Sequence, residues 1–383
     1  MNRFFTRLLS FLFAPRALFE QVFALYLAAR FEKQLTLKQD NLDAINKDDI
    51  LLFATLYNEA HLLPQFLDHY RKLGVNHFIF IDNNSTDQGA AFVAMDYDAS
   101  VFHTPDSYKT ANFGMHWVNA LLRRYGSNHW CLVCDIDEHL IFHHETAAGE
   151  TIQGHDSPLG NLCQRLEQQQ QQAFYTMMLD MYPKQDNQQL AADKAEDKLT
   201  SLLDICPYFD KTNYQFNYNK KYSSQMIRGG VRQRLLYQKT PNKAPALQKI
   251  PLVKWRPYYA YLSSMHTISP RRLNTCYRQP ETGALLHFKF SPGYITKVIQ
   301  EQTRRQHYDN SSEYSRYQQL LSTSAFYNEA LSVAYRSPQQ LMTLGFIKCQ
   351  QGSDVPTVNY LSREDRFASC ADKDGKTKAM KNG

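Results

Sequence analysis

Two aspartates separated by one residue form the segment of this chain best suited to chemistry, Asp135-Ile136-Asp137. On an extended backbone, side chains two residues apart project to the same side, so Asp135 and Asp137 would face one ligand. Paired carboxylates hold Mg²⁺ or Mn²⁺ and leave coordination positions for water and for a substrate's phosphates. A divalent cation placed there acts as a Lewis acid on a departing diphosphate. The spacing therefore predicts a metal site, against the alternative of an acidic surface turn.

A second polar cluster, Asp82-Asn-Asn-Ser-Thr-Asp87, follows an apolar segment that begins at His77. A carboxylate at the end of a strand in an α/β sheet can accept hydrogen bonds from the base or ribose of a nucleotide. Asp, Asn and Ser also form turns that cap the next helix. The two interpretations are compatible, with Asp82 on the ligand and Ser85 to Asp87 closing the turn.

The elements that must position these residues alternate between strands and helices. Continuous apolar runs predict buried strands at residues 50–56, 77–82 and 130–134. Apolar residues at helical spacing predict helices over about 62–73 and 113–124. This alternation is typical of βαβ units and of an open α/β sheet, which binds ligands at the carboxyl ends of its strands. Three polar clusters follow those ends: Asn58-Glu59, Asp82 to Asp87, and Asp135 to Glu138.

These segments resemble a family-2-type glycosyltransferase, in the bacterial branch where N-E and H-Y-x-x-L-G segments precede I-D-N-x-S-x-D. The matching residues are Thr55 to Glu59, His69 to Gly74, Phe80 to Asp87 and Asp135 to Glu138. The resemblance is strong over residues 50–142 and looser through 229–232, 249–253, 266 and 286–288. It implies a GT-A fold, a Rossmann-like mixed and mostly parallel sheet flanked by helices, in which a nucleotide-binding half and an acceptor half share one sheet.

The resemblance also implies roles for individual residues. Metal binding is expected at Asp135 and chiefly at Asp137, completed by a late histidine that is either His266 or His287. Spacing does not decide between these two, and each is open to the alternative of a satisfied core histidine. The expected donor-binding residues, with Arg232 and Lys249 on the diphosphate, are Asn58, Glu59, Asp82, Asn84, Asp135, Arg232 and Lys249.

The sequence offers three candidates for the catalytic base. An inverting transfer needs a carboxylate or a histidine to take the proton of the acceptor hydroxyl. The family's usual acidic residue in the acceptor half has no clear E-D pair to match here. Asp180 and Asp210 are the leading candidates, and Glu138 beside the D-x-D is a third that could instead orient the metal site. The identity of the base and the stereochemical outcome therefore stay open.

Composition indicates an ordered globular protein: of 383 residues, 43% are hydrophobic and 13% aromatic. Further strands are predicted at 174–181, 249–255, 261–268 and 285–290, and helical structure over 294–335. We predict a helical segment at 1–46 and a catalytic domain at 47–295, divided near 145 into donor and acceptor halves. A helical extension over 296–349 and a disordered tail over 350–383 complete the predicted organisation. The net charge of +6 requires no nucleic acid partner.

The first thirty residues are apolar but interrupted by Arg7, Arg16, Glu20 and Arg30, which argues against a spanning helix and a signal peptide. Residues 15–31 carry an apolar stripe at helical spacing. This helix would either lie in the interface of an anionic membrane or pack on the protein's own core. Seven cysteines without framework spacing favour reduced thiols and a cytoplasmic location. If the helix lies on a membrane, that location would be peripheral on the inner face of the cytoplasmic membrane.

The resemblance implies a hexosyltransferase-type enzyme that moves a sugar from a nucleotide-sugar, expected to be UDP-linked, onto a saccharide or lipid-linked acceptor. Cell-surface polysaccharide or lipopolysaccharide synthesis is the expected context. A nucleotidyltransferase would carry a glycine-rich basic loop after its first strand, where this chain has Tyr57-Asn-Glu-Ala-His61. A catalytically inactive binding or scaffold protein on the same fold is the other alternative, and the intact Asp135 and Asp137 argue against it.

Overall fold

The computed structural model describes residues 2–96, 98–144, 156–184, 201–291 and 326–349, with only the backbone for residues 2–15. All of these ranges belong to one compact unit that extends to Cys349. The strands are β1 Thr36–Gln39, β2 Ile50–Leu56, β3 His77–Asp82, β4 Ala99–His103, β5 Trp130–Val133, β6 Glu138–Ile141, β7 Ala173–Asp180, β8 Tyr208–Asp210, β9 Tyr214–Asn219, β10 Ser224–Gly229, β11 Gln248–Lys254, β12 Ala260–Tyr261, β13 Ile268–Ser269, β14 Gly283–His287 and β15 Ser332–Ala334.

The α-helices are α1 Asn2–Phe31, α2 Leu63–Leu73, α3 Gly89–Ala94, α4 Met115–Tyr125, α5 Pro158–Gln168, α6 Leu202–Ile205, α7 Gly230–Leu236 and α8 Pro338–Thr343. Short 3₁₀ helices cover Glu32–Gln34, Leu42–Ala44, Pro241–Lys243 and Arg271–Arg278.

A nine-stranded sheet in the order β1-β4-β3-β2-β5-β11-β7-β14-β6 organises the fold. Strands β4, β3, β2 and β5 are parallel neighbours, and β7 and β14 are parallel to each other. Strand β11 runs antiparallel to both β5 and β7, so β7 and β14 point the same way as β5. Strands β1 and β6 are antiparallel edge strands. The mixed, mostly parallel α/β sheet flanked by helices is confirmed.

The parallel strands form where the sequence is apolar without alternation, because both of their faces are covered. All six residues of β3 and all eight of β7 are buried. Helix α2 covers part of the sheet with an apolar face that includes Phe66 and Tyr70, and it ends at Gly74 in the left-handed conformation with φ 102°. This packing holds the carboxyl ends of β2, β3, β5, β7 and β14 at one edge of the sheet.

The antiparallel strands bring two more segments to that edge, because β11 and β6 begin where their parallel neighbours end. The register pairs His287 of β14 with both Asp180 of β7 and Glu138 of β6. Lys249 lies at the start of β11. From β4 to β2 the strands follow one another in decreasing sequence order, and the next strand in the sheet is β5. Open α/β sheets form a ligand crevice at such a reversal of strand order.

Three predictions of secondary structure are wrong. The helical segment predicted over 1–46 contains the strand β1, whose residues alternate between exposed and half-buried as in an edge strand and pair with β4. The predicted strand over 261–268 is a hairpin of two short strands, β12 and β13, with His266 in the turn between them, because Ser263 and Ser264 favour a turn and Ser264 has φ 45°. The helical prediction fails over 332–334, where β15 pairs with β8 instead. The predicted helix over 294–325 and the predicted tail over 350–383 lie outside the described residues.

Candidate functional site

The loops after β2 and β3 are joined by side chains that bond backbone groups of the opposite loop. Asn58 Oδ1 accepts hydrogen bonds from the backbone N–H of Thr86 at 2.7 Å and of Asp87 at 3.2 Å. In return, Asp87 Oδ2 accepts from Ala60 N–H at 2.9 Å, and Ser85 Oγ accepts from Asn58 N–H at 3.2 Å. Asn58 has φ 52°, a conformation that Asn tolerates better than most residues. Asn58, which the sequence predicts to bind the nucleotide-sugar, therefore joins the loops after β2 and β3.

Asp82 ends β3 and is buried, with its two oxygens in different surroundings. Asp82 Oδ1 accepts from Ser85 N–H at 3.0 Å and closes the turn. Asp82 Oδ2 lies 3.9 Å from His103 Nε2, and the same nitrogen lies 3.4 Å from Asn84 Oδ1. The β3–β4 register places His103 opposite Asp82. Sequence reasoning missed His103, although its position at the end of a parallel strand was the available signal.

Glu59 is also buried, and its carboxylate accepts a long hydrogen bond of 3.5 Å from Tyr57 N–H. The residues predicted to bind the nucleotide-sugar, Asn58, Glu59, Asp82 and Asn84, thus lie on the loops after β2 and β3. We call these two loops the β2–β3 side of the site.

Lys249 connects two of the predicted carboxylates. Its Nζ donates to Asp135 Oδ2 at 2.8 Å and to Glu138 Oε1. Burial alone would lower the pKa of Lys249, but Asp135 and Glu138 outweigh it, and the pKa lies above its ordinary value. Asp135 is 46% exposed, whereas the other two side chains are buried. An ammonium therefore already occupies one oxygen of the first aspartate in the D-x-D.

The second aspartate belongs to a different cluster. Asp137 Oδ2 lies 3.5 Å from His287 Nε2, and His287 Nδ1 donates to Asp180 Oδ1 at 2.6 Å. The other oxygen of Asp180 accepts from Arg232 Nε at 2.7 Å. All four residues are buried. The structure thus brings His287 beside Asp137, because β14 pairs with β6, and β6 begins one residue after Asp137.

Neighbouring charges shift the pKa values of Asp180 and His287. Burial would raise the pKa of Asp180, but Arg232 and the bond from His287 lower it to about 2. Burial would lower the pKa of His287, and the neighbouring Asp137 and Asp180 raise it above the ordinary value instead. Asp180 is therefore ionised at neutral pH and fixes the orientation of the imidazole ring.

The arrangement fits a divalent cation between Asp137 and His287. A carboxylate that accepts the Nδ1–H of a histidine directs Nε2 toward the metal in many metal sites, and Asp180 does this for His287. Among the described residues, no group of three or more His, Cys, Asp or Glu side chains could hold a metal ion. The protein would therefore supply two ligands, and water and phosphate oxygens would supply the others, as is usual for Mg²⁺.

His266, the other predicted metal ligand, lies in the β12–β13 turn. Its Nδ1 donates to the backbone carbonyl of Gln248 at 2.6 Å, next to Lys249. Burial lowers its pKa to about 4, so the ring is neutral. His266 thus borders the Lys249 cluster, while His287 is the histidine beside Asp137.

The three predicted bases are each held by a buried or half-buried cation. Asp180 is bonded by Arg232 and Glu138 by Lys249. Asp210 accepts from Arg234 Nε at 3.0 Å and from Arg234 Nη2 at 2.9 Å. Tyr182, which sequence reasoning also missed, donates its hydroxyl to Asp210 at 2.5 Å.

Arg232 and Arg234 both lie on helix α7, and the two glycines before them explain where this helix begins. Gly229 has φ 145°, and a Cβ there would lie 2.2 Å from the carbonyl oxygen of Asn213. Only glycine permits so close an approach of two backbones. The Gly229-Gly230 pair thus starts α7 where Arg232 and Arg234 reach the ends of β7 and β8.

A stacked pair of histidines lies behind the D-x-D. The rings of His69 on α2 and His139 on β6 are 4.4 Å apart and 9° from parallel. His69 Nε2 donates to Leu140 O at 3.0 Å. Burial lowers the pKa of His69 to about 4 and that of His139 well below its ordinary value. The pair is therefore neutral near pH 7.

Comparison with known proteins adds one partial likeness. No family model matches the chain, and no curated protein matches it. Among solved structures, the chain is similar to mannosyltransferase PcManGT from Pyrobaculum calidifontis in complex with GDP-Man and Mn²⁺, with 14% identity and a TM-score of 0.25. The match covers 47% of this chain and 48% of that chain, about half of each. The family-2-type resemblance of the motifs stays a prediction.

Proposed function

We propose that this chain is a glycosyltransferase that uses a nucleotide-sugar donor and a divalent cation. The observation that carries the proposal is the convergence of five strands at one sheet edge. Asp82, Asp180 and His287 end three parallel strands, Asp137 follows a fourth, and Lys249 begins the antiparallel strand among them. Such an edge combines a carboxylate for a nucleoside with a cation site for a diphosphate.

Asp137 and His287 are the proposed ligands of Mn²⁺ or Mg²⁺, which when bound supplies a Lewis acid for the charge of the diphosphate. Asp180 accepts the Nδ1–H of His287 and is itself bonded by Arg232, so these two residues orient the imidazole ring. Charge supports this division. The four carboxylates of Asp135, Asp137, Glu138 and Asp180 face the cations of Lys249 and Arg232, which leaves two negative charges once His287 gives up its proton to bind the metal. A divalent cation would balance them.

Asp82 is the proposed contact to the base or ribose of the donor. One of its oxygens is used by the turn, and the other has only the distant His103 within ion-pair range among the contacts described. We further propose that Asp180, Asp210 and Glu138 act as positioning residues, because each carboxylate bonds a cationic side chain. A UDP-linked donor and a saccharide or lipid-linked acceptor remain predictions from the sequence.

The test is donor turnover. The purified full chain is incubated with a panel of UDP- and GDP-sugars and Mn²⁺, and slow release of the nucleotide is followed without acceptor. Asp137→Asn and His287→Gln should each lower release by about 100-fold or more, because each removes one of two protein ligands. Asp68→Asn, on the exposed side of α2, is the matched control and should have no effect. Undiminished turnover in the Asp137 variant would refute the site.

The same assay separates the alternatives. Formation of a nucleotide-sugar from a nucleoside triphosphate and a sugar phosphate, with release of pyrophosphate, would indicate a nucleotidyltransferase. Nucleotide binding by calorimetry without any turnover across the panel would indicate a binding protein on this fold.

A further inference from the structure

Helix α1 presents an exposed apolar surface on the side away from the protein. We call this the α1 surface: Leu18, Phe19, Val22, Phe23 and Tyr26, whose exposed fractions are 61%, 68%, 57%, 50% and 59%. The rings of Phe19 and Phe23 are stacked with centroids 6.0 Å apart, and Phe23 and Tyr26 follow at 6.3 Å. Exposed apolar side chains are ordinary when single, but five on one helical face form a patch.

The opposite side of α1 is fixed to the protein. Ala24 and Ala28 are buried, and α1 packs along α4. Gln21 donates to the backbone carbonyl of Tyr258 at 2.5 Å, and Glu20 pairs with Lys221 at 2.8 Å. The small alanines allow α1 to pack closely on α4, and the aromatic residues lie on the opposite face. The α1 surface is therefore a stable feature of the fold.

Basic side chains border the α1 surface. Arg16 and Arg30 are exposed at its two ends. Glu20, the one acidic residue between Arg16 and Phe31, is neutralised by Lys221 and lies 3.5 Å from Arg16. Tyr258, which receives the bond from Gln21, is itself 50% exposed and follows Arg256 by two residues. The border is thus positively charged.

We propose that the α1 surface docks on an anionic lipid bilayer, with α1 lying in the plane of the interface. A helix of this kind buries its apolar face about 5–10 Å deep, and basic residues beside it contact anionic headgroups. Since α1 is attached along its inner side, only its outer half is available, which is about 5 Å of the helix diameter. No helix within the described residues is long and apolar enough to cross a membrane.

A second copy of this chain fits the surface less well than a bilayer does. Leu18 to Tyr26 spans about 12 Å of helix, and a stable protein interface buries roughly 1,200 Å² or more. Self-association through this face would also bring Arg16, Arg30 and Lys221 close to the same residues of the other copy. An anionic bilayer offers unlimited area and charge of the opposite sign.

Co-sedimentation of the full chain with vesicles tests the proposal. The protein should pellet with vesicles of phosphatidylcholine and phosphatidylglycerol in equal parts, less with phosphatidylcholine alone, and less again as salt is raised. The Phe19→Ser, Phe23→Ser double variant should bind about tenfold more weakly or worse, because two aromatic anchors are lost. Arg16→Gln, Arg30→Gln should weaken binding only to the anionic vesicles.

The matched control is Met95→Ser, since Met95 at the end of α3 is 79% exposed and lies outside the α1 surface. It should bind vesicles like the parent chain. All substituted residues are exposed, so the thermal unfolding midpoint should not change. Removing residues 1–31 is a poorer test, because the deletion uncovers the face of α4 that α1 covers.

Three outcomes would overturn the proposal. The full chain could stay in the supernatant at low salt, or the Phe19, Phe23 variant could bind as tightly as the parent. Light scattering could also show a lipid-free dimer that the same variant converts to monomer, which would assign the face to a second copy. Donor turnover is independent of all three results, so failure here leaves the proposed function standing.

Discussion

The two sides of the candidate site are held together by different forces. On the β2–β3 side, hydrogen bonds between neutral backbone groups and the side chains of Asn58, Ser85 and Asp87 join two loops. On the β7–β14 side, ion pairs between buried side chains hold Asp180 and His287. The first network contains one charged side chain, the half-buried Asp87, and can open with that charge in water, whereas the second would leave buried charges unpaired. This difference suits the proposed roles of the two sides, nucleotide binding on the first and cation binding on the second.

The largest expected effect comes from breaking the charged side. Arg232→Met leaves the buried carboxylate of Asp180 with its histidine bond alone, and should lower the free energy of unfolding by about 3–5 kcal/mol in urea. Arg124 offers the control, because its ion pair with Glu32 is exposed, with side-chain exposures of 60% and 34%. Arg124→Met should cost about 1 kcal/mol or less. Equal losses for the two variants would show that burial does not strengthen the contribution of the charged network.

A substitution of Asp82 tests whether the β2–β3 side binds the nucleotide. Asp82→Asn keeps an oxygen for the N–H of Ser85 but removes the charge, so the turn should survive. Affinity for the preferred nucleotide should fall by about 1.5–3 kcal/mol, the range for hydrogen bonds to charged groups. Calorimetry measures this change directly. Unchanged affinity, with an unchanged unfolding midpoint, would make Asp82 a turn residue alone.

The contrast also explains what the sequence could predict. The loops after β2 and β3 are built from local turn chemistry, and Asn58, Asp82 and Asp87 are visible as turn residues after apolar runs. The strands themselves followed from burial on both faces, which leaves continuous apolar segments at 50–56 and 77–82.

The charged side depends on contacts between residues far apart in the sequence. His287 bonds Asp180 across 107 residues, and Lys249 bonds Asp135 across 114. The choice between His266 and His287 required knowing that β14 lies beside β7 and that 261–268 folds as a hairpin. No local pattern encodes either fact, so the ion pairs could be predicted as candidates but not as partners.

The stacked histidines predict the pH dependence of stability. His69 has a folded-state pKa of about 4, below its ordinary value of 6.5, because burial disfavours the charged ring. The unfolded chain therefore binds more protons, and the stability contributed by the neutral ring is complete above pH 6.5 and is lost as pH falls toward 4. His69→Gln should flatten this decline by on the order of 2 kcal/mol. Urea unfolding at several pH values measures it, and an unaltered slope would contradict the assignment.

The smallest expected effect separates backbone strain from hydrogen bonding in the loop after β2. Asn58 combines φ 52° with bonds to the N–H groups of Thr86 and Asp87. Asn58→Gly keeps the left-handed conformation and removes the bonds, while Asn58→Ala removes both. We expect both variants to be destabilised, with Ala lower than Gly by about 1 kcal/mol in urea unfolding. Nucleotide affinity should fall equally in both, since the two loops are no longer tied. If Ala and Gly were equally stable, the left-handed backbone at Asn58 would store no strain, and the loop would be held by its hydrogen bonds alone.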